Sequence, residues 1–457
     1  MSVNNILPFI TFIIPAMGML AGLSASVTVT VFFLLFLANF CKKIIRSKNI
    51  NSETDQYTNF LNISHEAHKL DRRSVNADEA LSVPKILPQA QHHKYAISSK
   101  FNEYLTKFAT KNYIMECLFI SWSIFSSVWS INIFASLWLS ISTFSIILIS
   151  IILQDNISAV SDNIGLQKKI KVFLIIGIVA AIILFFIEKN SHGILSRSFR
   201  QLFQSNTKEY FLYMLDRGCA LLSVTSWVVI GILVKNKQYW YALALYIVVF
   251  YLLSISDGLA SFLGFICGGF VFILGSLFTE RFYKLLRIII LIGAVSLPFI
   301  VYNISPRDLS DKYTNFIADS AKHRLFIWNF VANKILEKPI IGFGIGAAKF
   351  ISIDEDDMID YHQYHWSPLP LHPHNNILQI LLDLGIVGFL LLLITINKWL
   401  KKISNNMGDN KYFCIVGYAC FVNYLIIGMI SYSVWQLWWV YIGAWVAFMM
   451  QYTLRNQ

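Results

Sequence analysis

Charge is what this sequence has little of. Of its 457 residues only 14% are Asp, Glu, Lys or Arg, where an average soluble domain carries about a quarter. That shortage excludes an ordinary soluble globular protein. Acidic residues are scarcer still, 26 against 37 basic ones, which leaves a formal net charge of +11. A basic excess can signal nucleic-acid binding, but Lys and Arg also collect in the cytoplasmic loops of membrane proteins, so no nucleic-acid partner is expected. The six cysteines are Cys41, Cys117, Cys219, Cys267, Cys414 and Cys420. None has CxxC spacing and all lie in or beside apolar runs, which supports neither a disulfide framework nor a zinc site. Met1 to Asn5 lacks a basic stretch and no A-x-A site follows, so the N-terminus is expected to stay as a span. No internal repeat stands out.

What is there in abundance is apolar sequence, 56% hydrophobic residues with a mean hydropathy of +0.57. A membrane-crossing helix needs about 20 apolar residues. Runs of that kind fall near 5–22, 25–41, 113–132, 135–153, 170–187, 209–234, 240–256, 259–279, 288–304, 375–397, 411–430 and 433–452. The first two could also be one interrupted segment. The expected fold class is therefore an all-α polytopic membrane protein with about twelve spans. Its parts would be an N-terminal hairpin (1–41), a basic polar cytoplasmic insertion with a short helix near 100–110 (42–112), spans three to nine (113–304), a long helical external loop (305–373) and spans ten to twelve (374–457).

Cytoplasmic loops are enriched in Lys and Arg. A cytoplasmic N-terminus places five basic loops inside, among them Lys168, Lys169 and Lys171, Arg281, Lys284 and Arg287, and Lys398, Lys401 and Lys402. The same choice places 305–373 outside, with its run of acids at Asp354, Glu355, Asp356, Asp357 and Asp360. The 188–208 loop, carrying Lys189, Arg197 and Arg200, disagrees.

The 305–373 loop is too long for a connector, and such loops are usually functional. Leu325, Trp328, Val331 and Ile335 recur at helical spacing, which predicts an amphipathic helix on or near the membrane surface. Pro339 ends it, and Gly342, Gly344 and Gly346 make a flexible, close-approach turn. No strand precedes them and no GK[ST] follows, so a phosphate loop is not supported. His362, His365, His372 and His374 lie close together, but their spacing matches no standard zinc arrangement and no metal is expected. His374 begins a span, where the helix dipole and any nearby Arg oppose protonation; a neutral imidazole is what a general base needs. Arg324 reads on spacing alone as a solvated charge. Arg217, after Asp216 at an outer span end, needs a partner or a water-filled cavity. Asp257, at another outer end, reads as a helix cap.

Three stretches together resemble one family. "HNNILQILLDLGIVG" is similar to the H-N-x-x-L-Q-x-x-x-x-x-G-x-x-G signature of the O-antigen ligase and polymerase superfamily. "HRLFIWNFVANKILEKPIIGFGIG" resembles its R-x-x-x-W and P-x-x-G-x-G segment, and "DRGCALLSVTSW" the N-R-G stretch of some ligases. The likeness covers about 209–452. It implies a glycosyltransferase of the bacterial inner membrane, with its active site facing the periplasm. The ligases move a glycan from undecaprenyl diphosphate onto lipid A-core, with no cofactor, nucleotide sugar or metal. The expected partners are that donor, that acceptor and membrane lipids, with room for contacts to other lipopolysaccharide-assembly proteins. His374 matches the family histidine and Arg324 the loop arginine. Many members carry a second arginine after a serine at an outer helix end, where Asp257 follows Ser256 here; Arg217 is the expected substitute. The expected catalytic set is then His374, Arg324 and Arg217. Asn375, His372 and Asp257, together with the two arginines, are expected to contact substrate. Polymerisation of lipid-linked repeat units, transfer to protein hydroxyls and a twelve-span transporter of lipid-linked sugars are the alternatives.

Overall fold

The computed structural model describes residues 11, 12, 14, 15, 113–155, 164–201, 215–278, 280–312, 318–405, 407, 408 and 410–454. The expected spans at 5–22 and 25–41 and the helix near 100–110 lie outside or almost wholly outside these residues. The chain divides into two compact units, residues 1–36 with 118–457 and residues 37–117. Of the second unit only 113–117, the start of the first helix given below, are described; the rest concerns the first unit.

Helices dominate. In chain order they are α1 (Ile114–Phe125), α2 (Ile133–Asp155), α3 (Ile164–Asn190), α4 (Ile194–Gln201), α5 (Asp216–Lys235), α6 (Tyr239–Ser254), α7 (Leu259–Leu277), α8 (Glu280–Asn303), α9 (Pro306–Lys312), α10 (Asp319–Ile335), α11 (Asn376–Ser404), α12 (Lys411–Ile430) and α13 (Leu437–Leu454). A two-stranded antiparallel hairpin, β1 (Ile359–Tyr361) with β2 (Tyr364–Trp366), interrupts the long loop. Each of the ten apolar runs expected beyond residue 112 holds a helix. Seven of these (α2, α3, α5, α7, α8, α11 and α12) are long and apolar enough to cross a membrane; α6 and the α1 region are shorter apolar helices. The protein is an all-α polytopic membrane protein.

The bundle is centred on α5, whose residues 218–233 are all buried. Against it and against one another lie α7 and α12. Gly264 and Gly268, four residues apart on α7, face Asn423 and the Ala419 carbonyl of α12, where any Cβ would collide. Such small-residue faces let membrane helices approach closely, gaining packing where lipid offers no hydrophobic drive.

The most unusual element is α11. It breaks at Gly385, whose φ of 63° and ψ of −169° are open essentially to glycine alone. A break inside lipid strands backbone groups that cost several kcal/mol each if unpaired. The segment after α10 pairs them. Phe343 and Gly344 donate their N–H groups to the Leu382 and Asp383 carbonyls at 2.9 and 2.8 Å, and the Pro339 carbonyl accepts from Ile386 at 2.9 Å. The Trp122 indole takes the Leu384 carbonyl at 3.0 Å. A side chain on Gly342 would strike the Asp383 backbone, one on Gly344 would strike Ser130, and one on Gly385 the Ile340 carbonyl. The expected close approach of these glycines is therefore met, but their expected flexibility is not. Residues 342–348 are buried, and Ser126 and Ser136 bracket Ile345 from both sides at 3.1 and 2.7 Å. The glycines are there to let one backbone dock against another.

Candidate active site

Alternating helix directions bring the start of α5, the α6–α7 turn, the long loop between α8 and α11, the start of α11 and the α12–α13 turn to one end of the bundle. All six expected site residues are at this end.

The loop is organised by α10. On its first turn Asp319 accepts from the Tyr364 hydroxyl at 2.6 Å and pairs with Lys322 at 3.0 Å. His323 stacks on Trp366 with centroids 4.7 Å apart and meets the Ser367 carbonyl at 2.9 Å. One turn after Arg324, Trp328 donates its indole N–H to the Pro373 carbonyl at 3.0 Å. The four-residue spacing from Arg324 to Trp328 thus puts a cation and an anchor for the histidine segment on one helix face.

That anchor matters because His374 has a φ of 52°, a left-handed conformation that a β-carbon disfavours. Strain of that kind costs about 1–3 kcal/mol and persists where surrounding contacts fix it. Two contacts do so. Trp328 holds the preceding carbonyl, and His374 Nδ1 lies 2.8 Å from the backbone oxygen of Ser431. His372 Nε2 reaches the same oxygen at 3.1 Å, and the two imidazole rings sit 4.2 Å apart.

A carbonyl can only accept, so His374 must carry its proton on Nδ1. Its Nε2 then holds a free lone pair. Burial, the neighbouring His372, Arg324 and His323 together push the His374 pKa down to about 4, against a smaller opposing pull from the Ser431 carbonyl. Burial also lowers the pKa values of His372 and His323. The imidazole is neutral at neutral pH, as a base requires.

Arg324 is half-buried. One guanidinium nitrogen donates to the Ser320 carbonyl at 2.9 Å, while its Nε is buried without a partner. Burial lowers its basicity and Asp216 raises it. Arg324 acts electrostatically on His374, His372 and His323 on one flank and on Asp216 on the other. Asp216 sits against the α6–α7 turn, close to Gly258. It is the α5 residue that faces Arg324, although the sequence pointed to its neighbour. Arg217 instead lies over the Trp438 ring at 5.8 Å and acts on Tyr432, next to Ser431. It lies on the α12–α13 side of this end of the bundle.

Asp257 is exposed in the α6–α7 turn. Its expected role as a helix cap is not met: Gly258 holds the cap position of α7, with no side-chain cap hydrogen bond. Asn375 does cap α11, its Oδ1 accepting from Ile377 and Leu378 N–H groups at 3.1 Å each. The four clustered histidines separate. His365 pairs with Asp360 at 2.7 Å and His362 with Asp311 at 3.5 Å on the exposed hairpin, whereas His372 and His374 turn inward to Ser431.

Sequence reading missed Ser431, Asp216 and Asp383. Ser431 contributes only a backbone oxygen, which no residue pattern reveals. Asp383 is fully buried two residues before the break in α11; its Oδ2 accepts from Trp435 at 2.6 Å, and the amides of Gly346, Ala347 and Ala348 face it. An aspartate followed by Leu-Gly inside an apolar span was the available signal. This carboxylate ties the broken helix to the turn that presents Ser431.

A half-buried histidine at the head of a broken membrane helix, within electrostatic reach of a half-buried arginine on a helical loop, is the architecture of a multi-pass membrane protein with its polar groups gathered at one end. The O-antigen ligase family model matches residues 242–393, and the chain belongs to that family. It is 43% identical over 447 residues to a Rickettsia conorii protein named "putative polysaccharide ligase", covering 97% of this chain and 96% of the relative. Proteins given the same name in Rickettsia felis and Rickettsia bellii are each 41% identical, with 96% and 97% of their lengths covered. No solved structure matches the chain.

Proposed function

We propose that the protein transfers a glycan from undecaprenyl diphosphate to a hydroxyl of lipid A-core on the periplasmic side of the bacterial inner membrane. The observation that carries this reading is the 2.8 Å contact of His374 Nδ1 with the Ser431 carbonyl, which leaves Nε2 to take a proton, with Arg324 in electrostatic reach. The acceptor oxygen attacks the anomeric carbon while Nε2 takes the hydroxyl proton. The carbon–oxygen bond to the diphosphate breaks, and the electron pair leaves on a phosphate oxygen. Guanidinium forks match phosphate geometry and stay charged in a low-dielectric site, so Arg324, with Arg217 on the far side, offsets that growing charge. Attack opposite the leaving group inverts the anomeric centre. His372 and Asp257 are proposed to contact substrate directly, and Asn375 from its buried cap position.

Charge placement supports the orientation. The basic residues of the α5–α6, α7–α8 and α11–α12 connections lie at the end opposite the site, as expected for the cytoplasm. Lys189, the discordant residue, has a structural use: its Nζ donates to the Ile255 carbonyl at 2.7 Å and closes the end of α6.

Lipopolysaccharide from a strain lacking the gene, resolved on a gel, tests the function. Loss of every modified band, with full-length glycan retained on the carrier lipid, is the expected result. A single repeat unit on the core would mean polymerase, and unchanged lipopolysaccharide would sink both.

A further inference from the structure

The head of α11 holds polar atoms that the chemistry above does not use. Asn375 and Gln379 are 1% and 3% exposed, and the Gln379 N–H donates to the Asn375 carbonyl at 2.9 Å, so the two stand one helical turn apart on one face. The cap uses only Asn375 Oδ1. Its Nδ2 is buried with no partner, and so are Gln379 Oε1 and Asn376 Oδ1. Asn376, the next residue, packs against Gly428 of α12, where a β-carbon would collide with its amide. One orphaned donor and two orphaned acceptors therefore lie in the first turn of α11, which follows His374 in the chain.

Native proteins rarely leave buried polar groups unpaired, because each one carries its full desolvation cost. The cost is greatest in an apolar membrane helix, where leucine would fit without penalty. The combination also selects its ligand. A phosphate oxygen would accept from Nδ2 but meet two carbonyl oxygens. An ammonium would satisfy the oxygens but oppose the amide N–H. A hydroxyl oxygen can accept from Asn375 and donate to Gln379 or Asn376.

We propose that Asn375 and Gln379 form a seat for one ligand hydroxyl group, which the ligase reading assigns to the acceptor sugar, and that Gln379 is a positioning residue for the transfer reaction. The role in transfer rests on the ligase reading; the seat itself does not.

The test uses the full chain in detergent, with undecaprenyl-diphosphate-linked glycan as donor and lipid A-core as acceptor. Gln379→Met keeps length and removes the acceptor; Asn375→Ser keeps the helix cap and removes the donor. Each should cut transfer about tenfold or more, leave donor binding unchanged, and keep or raise Tm, since an orphan has been removed. The double variant should be no slower than the slower single one, because both act on the same hydroxyl. A raised acceptor KM identifies the sugar hydroxyl; a lower kcat at constant KM with a lowered Tm means a resident water and overturns the sugar seat. Wild-type transfer rates, fully additive losses, or a lowered Tm in Gln379→Met would overturn the proposal. If the wild-type chain transfers nothing from this donor, the ligase reading fails, and the Tm comparison still decides the seat.

Discussion

Trp328 and Pro373, 45 residues apart, are joined by an indole N–H that meets a backbone carbonyl at 3.0 Å. Through that bond the loop helix carrying Arg324, α10, sets where His374 stands. Trp328→Phe keeps the ring and loses the donor, so it should leave folding intact and lower turnover about tenfold. Trp328→Ala should lose more. The check is kcat alongside thermal unfolding; unchanged turnover in Trp328→Phe would show that the bond does not position the base.

His374 sets a pH dependence. With its folded pKa near 4, the base stays neutral well below the pH at which an ordinary imidazole protonates. The acid limb of kcat/KM should fall between pH 4 and 5, not near 6.5. Stability follows by linkage. The unfolded chain binds the proton near 6.5 and the folded chain does not, so this histidine's contribution is complete above about 6.5 and is lost as pH falls toward 4. His374→Ala should abolish transfer by about 100- to 10,000-fold and flatten that part of the stability profile. Denaturant unfolding from pH 4 to 8 measures it, and an identical slope in both proteins would refute the assignment.

Arg324→Lys should fail almost as badly as Arg324→Ala, by about 100-fold, because one ammonium cannot reproduce a planar fork. Arg217→Ala should weaken donor binding and turnover together. Donor-binding titrations with each variant separate the two residues. Normal ligation by Arg217→Ala would remove it from the catalytic set and leave Arg324 as the charge-neutralising group.

Gly385→Ala places a β-carbon against the Ile340 carbonyl at a φ of 63°. It should destabilise the protein by about 2 kcal/mol or more and lower Tm, by undocking residues 339–348 from the broken helix. Gly293→Ala is the comparison, since a β-carbon there meets nothing within 4 Å. Equal melting of the two variants would mean that the break at Gly385 is not held by close packing.

Single cysteines at Ser352 and Asn405, both exposed, test the orientation in a background without native cysteines. An impermeant maleimide should label Ser352→Cys and spare Asn405→Cys in intact cells; the reverse pattern would invert the topology.

The membrane class, the apolar helices beyond residue 112 and, through the family resemblance, the candidacy of His374 and Arg324 were legible in the sequence. Hydrophobic length and composition depend on residue type alone, and the H-N-x-x-L-Q and R-x-x-x-W spacings are local. Tertiary structure decided what spacing cannot encode. Asp216, not Arg217, came to face Arg324, because the rotation of α5 is set by its neighbours on every side. Gly342, Gly344 and Gly385, far apart in sequence, became one docking surface because a broken helix in lipid must find partners for its backbone. The tautomer of His374 was fixed by the carbonyl of Ser431, 57 residues away. A backbone oxygen has no side-chain signature, so only folding could bring it there.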